Sequence, residues 1–172
     1  AVGKTASENY MKIYSNFGIS CTALRLFNVY GPGQNMKNMK QGMVSIFLSQ
    51  VLKNKHIHIK GSKDRFRDFV YIDDVTNAFI ASLQNKSHTF SVINISTNIK
   101  TTIGELVEKI ISKFPYAISV EFKGNTPGDQ FGIIGKNNKA LQKLSWKPNY
   151  NLDQGLSKMI DWLINNNVNN EK

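Results

Sequence analysis

Ser20-Cys21-Thr22-Ala23-Leu24-Arg25-Leu26-Phe27-Asn28-Val29-Tyr30-Gly31-Pro32-Gly33 is the stretch that decides the fold class. Ser20 to Asn28 is mostly apolar and bounded by turn signals, the pattern of a strand buried on both faces of a parallel sheet. Upstream, Val2, Ala6, Tyr10, Ile13, Tyr14 and Phe17 recur at helical spacing, and Gly18 supplies a C-terminal cap. Downstream, Gly31-Pro32-Gly33 breaks the chain and Gln34 to Gly42 reads as a polar loop. A helix is predicted over Met43 to Leu52. Ile57 and Ile59 then alternate with His56 and His58 in a short strand. Phe66 to Tyr71 reads as a strand, followed by a helix through Leu83 that opens on Asp73 and Asp74. The same periodicities predict strands over Val92 to Ile95 and Ile118 to Phe122. Helices are predicted over Thr102 to Phe114, Lys136 to Leu144 and Leu152 to Ile164, and the tail from Asn165 to Lys172 is expected to fray. Helices and strands alternate throughout, without repeats or an interdomain linker, so the expectation is a single α/β unit.

Composition narrows the function classes. The chain has 172 residues, 41% hydrophobic and 20% charged, which excludes a disordered polyelectrolyte. No stretch approaches the roughly 20 apolar residues of a membrane span, and Cys21, the lone cysteine, cannot form an internal disulfide. A cytoplasmic protein without a membrane partner is the expectation. The formal charge of +10 favours anionic ligands. Lysines are scattered rather than clustered, which argues against nucleic acid. Arg25, Arg65 and Arg67 are the only arginines, two of them in one short stretch, as a bidentate grip on phosphate would require.

A self-contained catalytic site is hard to find. Gly31-Pro32-Gly33 has Met36 where a dinucleotide loop would place its third glycine, and there is no phosphate-binding P-loop or nucleophile elbow. His56 and His58 share a strand face, but with no cysteine or second His/acid cluster nearby they read as surface histidines, and no metal is expected. Cys21 reads as a buried structural thiol. Helix capping accounts for Asp73 and Asp74 better than a catalytic carboxylate pair does. Three places stand out: Lys4 among small residues, the turn after the buried strand, and Asp64-Arg65-Phe66-Arg67-Asp68-Phe69.

Together and in this order these segments resemble the NAD-dependent epimerase/dehydratase family, extended short-chain dehydrogenases acting on nucleotide sugars. Ala1-Val2-Gly3-Lys4-Thr5-Ala6-Ser7-Glu8 resembles the end of the family's Tyr-x-x-x-Lys helix. Arg25 through Gly33 resembles its strand-to-loop motif, and Gly61 through Val75 its C-terminal signature. Gly128-Asp129, Lys139-Ala140 and Leu144-Ser145-Trp146-Lys147-Pro148 resemble the closing motif, with Ser145 where glycine is usual. The resemblance implies the C-terminal part of a Rossmann-type cofactor domain plus the small α/β nucleotide-sugar-binding domain. The glycine-rich loop and the catalytic tyrosine would lie upstream of Ala1, and this piece alone would be inactive.

By the same resemblance, Lys4 would be catalytic and would also hydrogen-bond the nicotinamide ribose of NAD. An ammonium about 4 Å from a phenolate contributes on the order of 4 kcal/mol at an effective dielectric near 20, enough to draw a phenol towards neutrality. Leu26 would meet the nicotinamide and Phe27 the sugar edge. Asn28 would contact the sugar nucleotide and Arg67 would grip its diphosphate. Met43 and Val44 would cover the nucleoside base, and His58 and Lys60 would lie on the strand whose backbone reads it. Thr126 stands where many relatives have a second diphosphate-binding arginine, a loss of about 1.5–3 kcal/mol unless Arg65 or a lysine compensates. The implied activity is nucleotide-sugar 4-epimerisation, with the full-length protein a homodimer. A nucleotide-sugar 4,6-dehydratase and, from another class, a non-catalytic module binding RNA or a phosphorylated ligand remain as alternatives.

Overall fold

The computed structural model describes residues 2–40, 42–85, 89–124, 128 and 130–170, with side chains to 166. Ala1, Thr126 and Asp129, which entered the motif reading, lie outside the described residues. The elements run α1 (Val2–Ser15), β1 (Thr22–Leu26), β2 (Asn28–Tyr30), α2 (Met43–Asn54), β3 (His56–Ile59), β4 (Phe66–Arg67) and β5 (Phe69–Tyr71). They continue with α3 (Ile72–Gln84), β6 (Ser91–Ile95), β7 (Thr101–Thr102), α4 (Ile103–Ile111), β8 (Ser119–Phe122), α5 (Asn138–Leu144) and α6 (Leu152–Asn170). The chain is α/β as expected. Among the described residues no helix is long and apolar enough to cross a membrane.

Two of the expected strands are interrupted, Ser20 to Asn28 at Phe27 next to its end and Phe66 to Tyr71 at Asp68, and both breaks have one cause. β1 pairs in parallel with β6 up to Leu26↔Ile95, whereas β2 pairs in parallel with β5 from Asn28↔Phe69. The change of partner falls on two consecutive amides: Phe27 N donates to Ile95 O at 3.2 Å and Asn28 N to Asp68 O at 3.0 Å. The Phe66–Tyr71 run divides at the same place, since β4 pairs antiparallel with β7 and β5 turns to β2. Asn28 and Asp68 therefore mark a crossing point of the sheet.

Apolar packing forms two clusters on either side of that crossing. One gathers Val70, Val75, Ala78, Ile93, Ile95, Ala140, Leu144 and Trp146 under β1 and β6. The other fills the space between α2, α4 and α6 around Phe47, Leu48, Val51, Leu106, Ile110 and Met159. β5 separates them: Phe69 and Tyr71 belong to the second cluster, while Val70 between them belongs to the first. The two-residue period of a strand thus explains why β5 is apolar at every position. β3 shows the same period with one wet face, Ile57 and Ile59 buried and His56 and His58 half-buried.

The other departures are local. α6 continues through the polar stretch expected to fray, reaching Asn170. β7 has no counterpart among the expected strands; Thr102 ends it and caps α4 in a reciprocal capping box with Glu105. Cys21 is half-buried rather than a core thiol. Asp74 does not cap α3, whose N-cap is Tyr71 without a side-chain bond. Its carboxylate, fully buried, accepts from Asn149 N at 2.9 Å and Tyr150 N at 3.2 Å, while its carbonyl accepts from Trp146 Nε1 at 2.8 Å. Burial raises its pKa above the ordinary 3.8 although those amides pull the other way. Ser145 closes α5 in the left-handed region at φ 51°. Without a Cβ that conformation is free of strain, so Ser145→Gly is expected to stabilise the fold by about 0.5–1 kcal/mol in urea denaturation.

Candidate functional site

A parallel α/β sheet presents its ligand sites beyond the strands' carboxyl ends, where neighbouring connections diverge. Here that position is the crossing at Phe27 and Asn28. Three hollows meet there. The first, about 510 Å³, is lined by Arg25, Leu26, Phe27, Asn28, Asn94 and Ile133. The second, about 490 Å³, shares Phe27 and Asn28 and adds Gln34, Met43, Val44 and Phe69 among others. The third, about 540 Å³, shares Asn28, Gly42 and Met43 and ends at His58, Lys60 and Arg65. The three are neighbours with Asn28 as their common wall, and together they make up a trough. Among its described lining residues Arg25, Lys40, Lys60 and Arg65 are cationic and none is acidic.

Local structure fixes the lining. Asn28 is held twice by one acceptor, since its N and its Nδ2 each donate to Asp68 O at 3.0 Å. That leaves the Asn28 side-chain carbonyl to face a ligand. The Asp68 carboxylate, fully buried, takes four donors: Thr97 N at 2.8 Å, Thr97 Oγ1 at 2.7 Å, Asn98 N at 3.0 Å and Gly135 N at 3.1 Å. Asp68 is the support of the crossing, and sequence reading missed it. Gly33, at φ 83°, lets the loop turn back over the trough. Gln34 in that loop has a buried side-chain oxygen with no protein partner among the described residues. It too goes unnoticed in the sequence.

The trough brings together Leu26, Phe27, Asn28, Met43, Val44, His58 and Lys60. On β3 one backbone group is already engaged, because His58 N donates to Gln50 Oε1 at 2.9 Å. Arg67 stands outside the lining. It is 8% exposed, and its Nη1 donates to Phe66 O at 2.8 Å and Phe131 O at 3.5 Å. Arg65 lines the trough instead, with its guanidinium donating to Lys60 O and Ser62 O around the Gly61 turn. The two arginines therefore do not share one face of a strand start.

Lys4 is exposed on α1, one turn before Glu8 and on the same face. Glu8 is clamped by Arg25 in a two-pronged pair, Nε to Oε1 at 2.8 Å and Nη2 to Oε2 at 2.7 Å. That hydrogen-bonded fork holds the Glu8 carboxyl below its ordinary range. Through Arg25 the clamp ties the Lys4 face of α1 to the rim of the first hollow. Leu26 and Ile133 there present apolar surface, 41% and 40% exposed, beside the amide of Asn94, a wall suited to a flat polar-edged ring such as nicotinamide. The tyrosines next to the trough are unsuited to act as bases. Burial raises the Tyr30 phenol well above its ordinary value and pushes Tyr71 up to about 12, so both stay protonated near neutrality.

Comparison with known proteins places the chain among described relatives. The chain is 32% identical over 160 residues to the dTDP-4-dehydro-6-deoxyglucose reductase of Escherichia coli, covering 92% of this chain and 50% of that protein. It superposes with a TM-score of 0.88 on the UDP-N-acetylglucosamine 4-epimerase of Methanobrevibacter ruminantium in complex with UDP-N-acetylmuramic acid, at 28% identity, covering 94% of this chain and 52% of that one. The UDP-glucuronic acid 4-epimerase of Bacillus cereus, as a tyrosine-to-phenylalanine mutant in complex with UDP-4-deoxy-4-fluoro-glucuronic acid and NAD, gives 0.84 at 28% identity over 95% of this chain and 52% of that one. The chain spans about half the length of the curated relatives it matches. The model of the NAD dependent epimerase/dehydratase family matches residues 1–96, more than half of the chain, and the chain belongs to that family.

Proposed function

We propose that the trough binds a nucleoside-diphosphate sugar and that the chain is part of an NAD-dependent nucleotide-sugar 4-epimerase. The observation that carries this is the lining on either side of Asn28, apolar at Leu26, Phe27, Met43 and Val44, and cationic without a carboxylate at Lys60 and Arg65. Such a lining suits a sugar in the middle and a diphosphate and base beyond it. Lys60 and Arg65 meet the charge-assisted requirement of the diphosphate, Asn28 and Gln34 offer carbonyl oxygens to sugar hydroxyls, and Met43 covers the base. The reaction rests on the company the chain keeps, since both superposed structures are named as 4-epimerases.

The first hollow fits the nicotinamide end of NAD, with Leu26 and Ile133 as its wall. NAD supplies hydride acceptance from a sugar carbon and hydride return to it. Lys4, in this reading, keeps a neighbouring phenol of the longer protein ionised so that it can take the sugar hydroxyl's proton. In the same reading it is the lysine of Tyr-x-x-x-Lys. The longer protein is a homodimer in which α1, whose Val2, Tyr10, Ile13 and Tyr14 are more than half exposed, meets its counterpart.

The test is calorimetric titration of the intact enzyme with UDP-glucose and separately with NAD. Arg65→Ala is expected to weaken the sugar nucleotide at least about tenfold, the scale of one charge-assisted bond, while leaving NAD within about twofold. Equal loss of both ligands in that variant, or binding of short RNA with no binding of the sugar nucleotide, overturns the reading.

A further inference from the structure

The parallel register of β3 and β8 has a consequence outside the trough. It sets His56 opposite Ser119 and His58 opposite Glu121. The two histidines already share the wet face of β3, because residues two apart in a strand point the same way. Register then adds a carboxylate from 63 residues away, and the donor atoms of His56, His58 and Glu121 lie within 4.8 Å of one another. The acid partner that no neighbouring stretch of sequence supplies to the histidine pair is Glu121.

We propose that His56, His58 and Glu121 form a binding site for a divalent transition cation of the zinc class. Two imidazole nitrogens and one carboxylate oxygen are a donor set that zinc, nickel and copper accept and that magnesium and calcium do not prefer. A tetrahedral zinc with bonds of about 2.0–2.1 Å needs its ligand atoms about 3.3 Å apart. His58 Nδ1 and Glu121 Oε2 already stand 3.0 Å apart, and His56 closes the remainder by side-chain rotation on a face open to solvent. Ser119 Oγ, 2.7 Å from His56 Nδ1, is a partner from outside the ligand set of the kind that orients a metal-binding imidazole. The fourth position is left to water. Lys123, with Nζ 4.0 Å from Glu121 Oε1, is a nearby cation that works against the site. Because His58 also lines the far end of the trough, an ion bound here abuts the ligand cavity.

Zinc chloride titrated calorimetrically into the protein near pH 7.5, without chelators, is expected to show a micromolar site at one ion per chain. His56→Asn, His58→Asn and Glu121→Gln should each weaken it at least about tenfold. All three side chains are solvent-facing, so unchanged far-UV circular dichroism is expected to show that the fold is intact. Absence of zinc uptake by the parent protein, or an affinity within about twofold of the parent's in any of the three variants, overturns the proposal.

Discussion

Asp68→Ala is expected to destabilise the fold by about 3–5 kcal/mol, the largest loss from any single side chain around the trough. The carboxylate is fully buried and accepts four hydrogen bonds, three from backbone amides and one from the Thr97 hydroxyl. Alanine leaves every one of those donors without its acceptor, Gly135 N in a buried place and Thr97 in a half-buried one. A buried donor without a partner costs about 1–3 kcal/mol, and breaking a buried charged network costs about 3–5 kcal/mol in all, because partial relaxation keeps the terms from adding. One of the four donors belongs to Asn98, whose φ of 61° lies in the left-handed region that asparagine tolerates better than most residues. Asp68→Asn keeps the shape but aims an NH2 group at two of the amides, so it should fall between alanine and the parent. Urea denaturation is the measurement, and a loss below about 1 kcal/mol for alanine would show that the donors find other acceptors. The effect extends to the trough, because the Asp68 carbonyl is what holds both nitrogens of Asn28. A variant that still folds is therefore expected to lose ligand affinity as well.

That network also marks where reading the sequence stops. Strand character from Ser20 onward, the alternation at His56–Ile59 and the helical stripes of α1 and α4 are local patterns, and they reappear in the structure nearly where their spacing places them. The break at Phe27 is not local. Leu24 and Leu26 before it and Val29 and Tyr30 after it are apolar, and only the identity of the partner strand changes. No periodicity records a change of partner. Asp68 is invisible for the same reason: its donors come from 29, 30 and 67 residues away, and between Arg67 and Phe69 it looks like one more charge in a charged stretch. Glu121 gains its meaning only from the β3–β8 register. Leu26, Phe27 and Asn28 were legible because they fall in a motif shared with a family. The residues that hold them in place were not, since their role depends on distant segments folding against them.

Gly155→Ala tests the second long-range dependence, and here the sign of the effect is diagnostic. In the interior of an exposed helix this change stabilises by about 0.5–1 kcal/mol, because alanine loses less backbone freedom on folding. Gly155 lies in α6, where a Cβ would run into the Tyr30 hydroxyl and press on the Tyr71 ring. Neither ring has room to retreat. Tyr30 is 3% exposed, donates to Leu152 O at 3.3 Å and packs edge-on against Phe69, while Tyr71 is 3% exposed and packs at a tilt against Tyr150 with centroids 4.7 Å apart. α6 must therefore move off β2 and β5, taking Leu156 and Met159, both fully buried, with it. Overpacking of this kind costs about 1–3 kcal/mol and outweighs the gain in helix propensity. Gly3→Ala in α1 is the control, since no atom outside that helix lies within 4 Å of its added Cβ. It should stabilise by the helix term alone. Opposite signs for the two variants in the same denaturant series are expected. A gain at both would mean that α6 does not hold the close approach to Tyr30 on which the wall behind the trough depends.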